Sequence, residues 1–488
     1  MASAISFAFF IPKSQTSHTL ELATLVERKD MKIAFLPVIY MALTSDPTMK
    51  NPAPTTDASP QRMATVRPFA LPKEGSPRTT SLEARAKDMN GLFETGAPLS
   101  KDELEDIVHS IQNIYSTDAT TAADAAVDFD KLRDTLSQIA HISHKDWTVT
   151  EANSQKLGHV LLKDGMANPA ARQMLERILV EGNWDGAADH AKVFHNKDDK
   201  DHHPWAVLVT GVNGIRKTTS IYQSWWPELL QEALIAPPSS TSINSNGKRK
   251  TPDEFPLENL PCGSNSFFRQ LDHMIATLCN EDFKALYYLA EQELQTQEEP
   301  AKPSAELVKK YSDLKAAIFS RYRTLSELLG ALLLKEAQTL NSNCMMETSG
   351  RDVAMFHYVD HFFPKEGYNK LALHFTINDL SQAQESVDRR MVHEIKEGIQ
   401  AVHNKDNFDV IYANAGGPYG SEVLPGVQEA SDSVWNNVVL KGEEVGQDWY
   451  KATIAITAHA AKPWTAQAVR PDGSLGTVFT FSRKEEEA

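Results

Sequence analysis

Cysteine is almost missing from this chain. Cys262, Cys279 and Cys344 are its only three in 488 residues, and no two form a C-x-x-C pair. Neither a disulfide framework nor a thiolate zinc site is supported, and a reducing compartment fits best. Positive charge is also scarce: Lys and Arg total 49 against 65 Asp and Glu, a net charge of −16. That balance argues against broad binding to nucleic acid or anionic lipid, and an anionic substrate would need a local basic site. No segment reaches the roughly 20 apolar residues of a membrane span. No internal repeat is visible.

What the chain does have is an ordinary globular composition, 41% hydrophobic and 23% charged, enough to bury a substantial core. Its length exceeds one ordinary domain, so one large domain with a helical or disordered extension is expected. Residues 1–85 read as a leader and linker, either disordered or targeting. "MKIAFLPVIYMALTS" from Met31 has the shape of a signal peptide, although it lies internally. Residues 44–85 are rich in Pro, Thr and Ser without an apolar period. The expected location is cytoplasmic, and the leader leaves organellar or secretory targeting open.

A helical subdomain is expected over 86–200. In "PLSKDELEDIVHSIQNIY", Ser100 and Glu103 form a capping-box pattern, and Leu104, Ile107, Ile111 and Ile114 follow at helical spacing. "FDKLRDTLSQIAHI" and "PAARQMLERILVEG" are further amphipathic helices. A polar boundary at 195–205 precedes the strand-forming "AVLVT" (206–210), a Gly-rich turn, and a helical pattern through "TTSIYQSWWPELLQEAL" with a break expected at Pro227. A turn-rich insert follows at 236–256, then long helices. Further strands are expected at "CMMET" (344–348), "LALHFTI" (371–377) and "DVIYANA" (409–415). Strands alternating with helices predict an α/β fold with a parallel sheet covered on both faces. The main domain spans 201–420. Residues 421–488 form a C-terminal addition with strand hints and no visible chemistry.

The chemistry concentrates in "GVNGIRKTT", Gly211 to Thr219. A phosphate-binding loop needs Gly-x-x-x-x-Gly-Lys-[Ser/Thr], in which backbone N–H groups wrap phosphate, the lysine meets the outer phosphates and the hydroxyl holds Mg²⁺. Here Gly211, Val212, Asn213, Gly214, Ile215, Arg216, Lys217, Thr218 and Thr219 occupy that span, with Arg216 where the second glycine belongs. Arginine there must take a strained backbone or open the loop. ATP and Mg²⁺, the latter on Thr218, are the expected ligands. Glu347 ends a predicted strand in "NCMMETSGRD", where an acid could organise Mg²⁺ or the attacking group. Arg389 and Arg390 lie on the helix after "LALHFTI", from which they could close over a transferring phosphate.

This order of strand, loop, helix, long insert, "ETSGRD" and "LALHFTINDLSQAQESVDRR" resembles the P-loop NTPases of kinase type, and among them the zeta-toxin-like kinases. The resemblance covers about 205–420. It implies an acidic stretch after the third core strand (Glu347, Thr348, Arg351) and an arginine-bearing helix (Arg389, Arg390). It also makes Asp272, in "PCGSNSFFRQLDHMI", a candidate base on the substrate side. The implied activity is transfer of the ATP γ-phosphate to a small-molecule hydroxyl, nucleotide-sugars among the acceptors. Asp272, or alternatively Glu347, would take the proton.

Other readings compete. "GVNGIRKTT" and "ETSGR" also resemble signal-recognition-particle-type GTPases, but the Thr-Lys-x-Asp motif that reads guanine is missing. "VLVTGVNGIR" and "YANAG" resemble short-chain dehydrogenases, at a separation too wide for one Rossmann half. A non-catalytic nucleotide-binding or interaction protein with a decayed loop is the alternative that Arg216 favours. His357 and His361 stand one helical turn apart without a general-base Glu between them, so a structural role is expected. A protein partner and an oligomeric state are not indicated.

Overall fold

The computed structural model describes residues 69–87, 97–115, 127–142, 146–162, 165–194, 202–236, 254–297, 302–460 and 462–482. Thr65–Ala488 form one compact unit; the leader reading lies outside the described residues up to residue 68. Residues 77–85, expected to end the linker, instead lie in helix α1 (Pro77–Lys87). Proline at its first position loses no intrahelical bond, and Leu82 is fully buried.

Of the helices expected before residue 200, α2 (Lys101–Tyr115) and α3 (Phe129–Ile139) are present, while "PAARQMLERILVEG" is two short helices, α5 (Pro169–Met174) and α6 (Glu176–Glu181). Helices α4 (Trp147–Leu161) and α7 (Trp184–Phe194) were not read from the sequence. The capping box at the start of α2 is formed. Glu103 N donates to Ser100 Oγ at 3.2 Å, and Ser100 N donates to Glu103 at 2.8 Å. The apolar faces of α2–α7 join one core cluster with α10 (Leu271–Leu278), α11 (Asn280–Gln295), α12 (Ala305–Thr339) and one face of the sheet.

The sheet has seven strands in the order β2-β3-β1-β4-β5-β6-β7. They are β1 (Trp205–Thr210), β2 (Ser266–Arg269), β3 (Asn343–Glu347), β4 (Asn369–Ile377), β5 (Tyr450–Thr457), β6 (Trp464–Val469) and β7 (Phe479–Phe481). The first five in that order run parallel. The expected all-parallel sheet is therefore corrected to a mixed one, since β6 and β7 return antiparallel along the β5 edge. A short connection between β5 and β6 permits only an antiparallel neighbour. All of β1 is buried, and its side chains alternate between faces: Ala206 and Leu208 face the helical core, while Trp205, Val207 and Val209 face a second cluster. That second cluster includes α9 (Trp226–Ala233).

Two local expectations fail. "DVIYANA" is not a strand but the short helix α15 (Asn407–Ala413). Asp406 caps it, accepting from Phe408 N at 2.7 Å and Asp409 N at 3.3 Å, and an Asp N-cap decides an otherwise ambiguous apolar run. The helix after the loop is two pieces, α8 (Lys217–Ile221) and α9, and the break falls before Pro227 rather than at it. Proline belongs at a helix start, where its missing N–H costs no bond. The remaining helices are α13 (Ala354–Phe362), α14 (Leu380–Asn404) and α16 (Leu424–Val434). The chain moves from β1 to β2 and β3 on one side, then to β4 and β5 on the other. The carboxyl ends of β1, β3 and β4 thus flank a switch point, where sheets of this kind hold ligands.

Candidate active site

β1 ends at Thr210, whose hydroxyl donates to Leu373 O at 2.9 Å. The turn that follows has no room for side chains at its glycines. A Cβ on Gly211 (φ 124°) would meet Phe375 O at 2.7 Å, and one on Gly214 (φ 84°) would meet Ala383 O at 2.3 Å. Val212 and Ile215 are buried against the second core and pin the turn. Arg216 then takes the left-handed conformation, φ 65° and ψ 33°. The loop does not open; the backbone holds the strain. The guanidinium of Arg216 turns toward β6, 5.9 Å from the Trp464 ring centroid.

Lys217 is almost fully buried at the first position of α8. Its ammonium donates to Gly211 O at 2.7 Å and Val212 O at 2.8 Å, and lies 2.9 Å from Glu347 Oε1. Sheet register explains that pairing. Glu347 is the last residue of β3 and stands opposite Val209 of β1. Thr348 N donates to Val209 O at 3.0 Å, and Gly211 N donates to Ser349 O at 3.3 Å. The "ETSG" segment thus lies alongside the loop. Thr218 and Thr219 are half-buried and line the cleft.

Asp272 stands across from the loop in the first turn of α10. A Cβ on Gly417 would lie 3.4 Å from both Asn213 Nδ2 and Asp272 Oδ2, so the 415–419 turn bridges loop and acid. Burial raises the Asp272 carboxyl above the usual aspartate range. The nearby His273, Lys315 and Arg390 oppose that rise, and Glu347 adds to it. Asn414 Nδ2 donates to Asp272 O at 3.2 Å.

Two ion-pair hubs that the sequence reading missed hold these pieces. Glu181, at the end of α6, is 2.6 Å from His273 Nε2 and accepts from Arg177 Nε at 2.8 Å. Burial opposes ionisation of Glu181, but His273 and Arg177 outweigh it and hold its pKa at about 2. Arg177 in turn donates to Asn414 O at 2.5 Å and to Ile411 O. Behind the 415–419 turn, Lys315 and Glu394 are fully buried 2.6 Å apart, and Ala415 N donates to Glu394 at 3.0 Å. Burial lowers the Lys315 pKa, against the pull of Glu394. A signal existed: Glu394 falls on the apolar stripe of α14 that includes Val387, Met391 and Ile395, where a charge has to find a partner.

The two arginines of α14 separate. Arg390 reaches the cleft and donates to Gly417 O at 3.1 Å. Arg389 is half-buried, pairs with Glu385 one turn back and does not border the cleft. Of the two arginines expected as alternatives, Arg390 is the one brought to the cleft: at helical spacing, neighbouring residues diverge by about 100° and only one can face the site. Arg351 is exposed at the cleft, with its guanidinium 5.8 Å from the Tyr419 ring centroid. His357 and His361 part company as well. His361 lies 2.9 Å from Glu151 Oε2, whereas His357 lines the cleft. Among the described residues no group of three His, Cys, Asp or Glu could hold a metal.

Of these groups Asn213, Gly214, Arg216 to Thr219, Arg177, Glu181, Asp272, His273, Glu347, Arg351, His357, Arg390 and Gly417 border one cleft of about 1430 Å³, shared by the loop, α10, α12, the start of α13, α14 and the 415–419 turn, whereas Gly211, Lys315, Glu394, Asn414, Arg389 and His361 do not. It collects Arg177, Arg216, Lys217, Arg269, Arg323, Arg351 and Arg390 in a chain whose net charge is −16. No helix among the described residues is long and apolar enough to cross a membrane. No family model, no curated protein and no solved structure matches the chain.

Proposed function

We propose that this chain is an ATP-dependent phosphotransferase of the P-loop kinase type that phosphorylates a small-molecule hydroxyl. The observation that carries the reading is the Lys217–Glu347 pair at 2.9 Å. It sits on a glycine-constrained loop at the switch point of the sheet and shares its cleft with the half-buried acid Asp272. The residues present fit a triphosphate: Gly211 and Gly214 leave the backbone without Cβ atoms, Lys217 supplies a cation, and Thr218 offers a hydroxyl for Mg²⁺. Mg²⁺ held there would supply positive charge to offset that of the phosphates.

In this reading Lys217 leaves its carbonyl acceptors and pairs with the outer phosphates. Asp272 accepts the proton of the acceptor hydroxyl, its raised pKa suiting a base better than that of an exposed aspartate. Arg390 and Arg351 offset negative charge that builds up during transfer. Glu181 and Arg177 hold the first turn of α10 and the 411–414 carbonyls, so that Asp272 keeps its direction. Transfer of this type is mostly positioning and electrostatics, for which these groups suffice.

One observation favours a second reading, a nucleotide-binding or interaction protein without turnover. Lys217 already has three protein acceptors, and Arg216 turns to Trp464 rather than standing clear of the loop. Incubation with γ-labelled ATP and Mg²⁺, with nucleotide-sugars among the acceptors offered, separates the two. The kinase reading expects label to leave ATP in the wild type and to stay on it in Asp272→Asn. Tight ATP binding with no release of label in any acceptor mixture would select the second reading.

A further inference from the structure

We propose that the part of the cleft built on α12 is an anion subsite. It would take a small molecule that carries a carboxylate or a phosphate monoester on a flat apolar body. As the acceptor's place it rests on the phosphotransfer reading; as a binding site it does not. Ala316, Phe319, Ser320, Arg323 and Glu327 line the cleft at helical three- and four-residue steps along one stripe of α12. Phe319 and Trp147 give this end apolar walls, and Trp147 packs edge-on against Tyr358 at 5.0 Å.

The charges here do not cancel. Glu327 is buried and single, yet two guanidinium groups share it: Arg269 Nη1 at 2.8 Å and Arg323 Nη2 at 2.9 Å. Arg269 is almost fully buried, and its Nε has no hydrogen-bond partner. Arg351, just before α13, lines the same cleft and lies over Tyr419, 5.8 Å from its ring centroid. Arg269, Arg323 and Arg351 against Glu327 and the cleft-lining Asp352 leave one positive charge in excess at this end of the cleft, and such a spot in an acidic chain concentrates anions. Guanidinium forks match the planar oxygens of carboxylate and phosphate, and the aromatic walls match a ring.

The test is calorimetric titration of phenyl phosphate, benzoate and the neutral benzyl alcohol into the full chain without nucleotide. Binding of either anion, with the alcohol inert, supports the subsite, and the ratio of the two affinities tells which group it prefers. Arg323 is partly and Arg351 largely exposed, so Arg323→Gln and Arg351→Gln keep the fold. Each should weaken the anions roughly tenfold or more, the loss of a charge-assisted contact. Failure of both anions to bind overturns the proposal, as does binding that survives both arginine substitutions. Binding lost only in Lys217→Ala also overturns it, since the anion would then sit in the loop. Phenyl phosphate binding in a protein that ignores ATP would sink the phosphotransfer reading and still support the subsite.

Discussion

Replacing Arg216 by glycine changes one backbone constraint and one side-chain contact, and both can be sized. A residue with a Cβ in the left-handed region, here φ 65° and ψ 33°, costs about 1–2 kcal/mol that glycine does not. Against that relief, glycine gains about 0.4–1 kcal/mol of unfolded-state freedom. Loss of the guanidinium at 5.9 Å from Trp464 removes about 0.5–1 kcal/mol more. The effects nearly cancel, so Arg216→Gly should unfold in urea within about 1 kcal/mol of wild type. Its affinity for ATP–Mg²⁺ should equal or exceed that of wild type, because the loop acquires the residue its conformation suits and loses no phosphate donor. Unchanged stability with affinity reduced by more than about tenfold would refute this reasoning. Arg216 would then be a phosphate ligand in its own right, and its contact with Trp464 would be no more than a resting position.

Asp272→Asn should lower turnover by roughly 100-fold or more while ATP binding persists. A base must be deprotonated to act, and burial raises the Asp272 pKa. The wild-type rate should therefore climb with pH through a value above the ordinary aspartate range, and that limb should vanish in the Asn variant; an unchanged pH–rate profile would remove the assignment. Arg390→Ala, which frees the Gly417 carbonyl, should cut turnover more than ATP affinity, while Arg389→Ala should keep wild-type rates. Equal losses in steady-state kinetics would reverse that distinction. Glu181 has a folded pKa of about 2, below its unfolded value, so its contribution to stability is full above the ordinary glutamate range and is lost as pH falls toward about 2. Urea midpoints measured from pH 6 down to pH 3 should fall less steeply in Glu181→Gln than in wild type; parallel curves would count against the hub. Gly214→Ala puts a Cβ 2.3 Å from Ala383 O at φ 84° and should lower the melting temperature, whereas an unchanged value would mean that the turn has room.

The central strands β1, β3 and β4 were readable because buried parallel strands are short, near-continuous apolar runs, and "AVLVT", "CMMET" and "LALHFTI" are such runs. β2 was not read, since "SFFR" is four residues long and carries no period. β5 belongs to the segment treated as an addition, although "YKATIAIT" pairs parallel with β4 over Leu371–Ile377. Only pairing across some 70 residues of chain makes it a core strand, and local pattern does not carry that. Lys217 and Glu347 stood out one at a time from motif and strand position, and Asp272 only from the family resemblance. Their common cleft was not legible, because it depends on the order in which β2, β3 and β1 lie side by side. Glu181 lay in a helix that read as merely amphipathic, and its role follows from a partner 92 positions on, His273.

The most direct test of the account is calorimetric titration of ATP–Mg²⁺ into the wild-type chain and into Lys217→Ala. Saturable binding by the wild type and none by the variant is expected, since the ammonium now held by Gly211 O, Val212 O and Glu347 is the cation that would meet the phosphates. A wild type that takes up no ATP, or a variant that binds it equally well, would contradict the account.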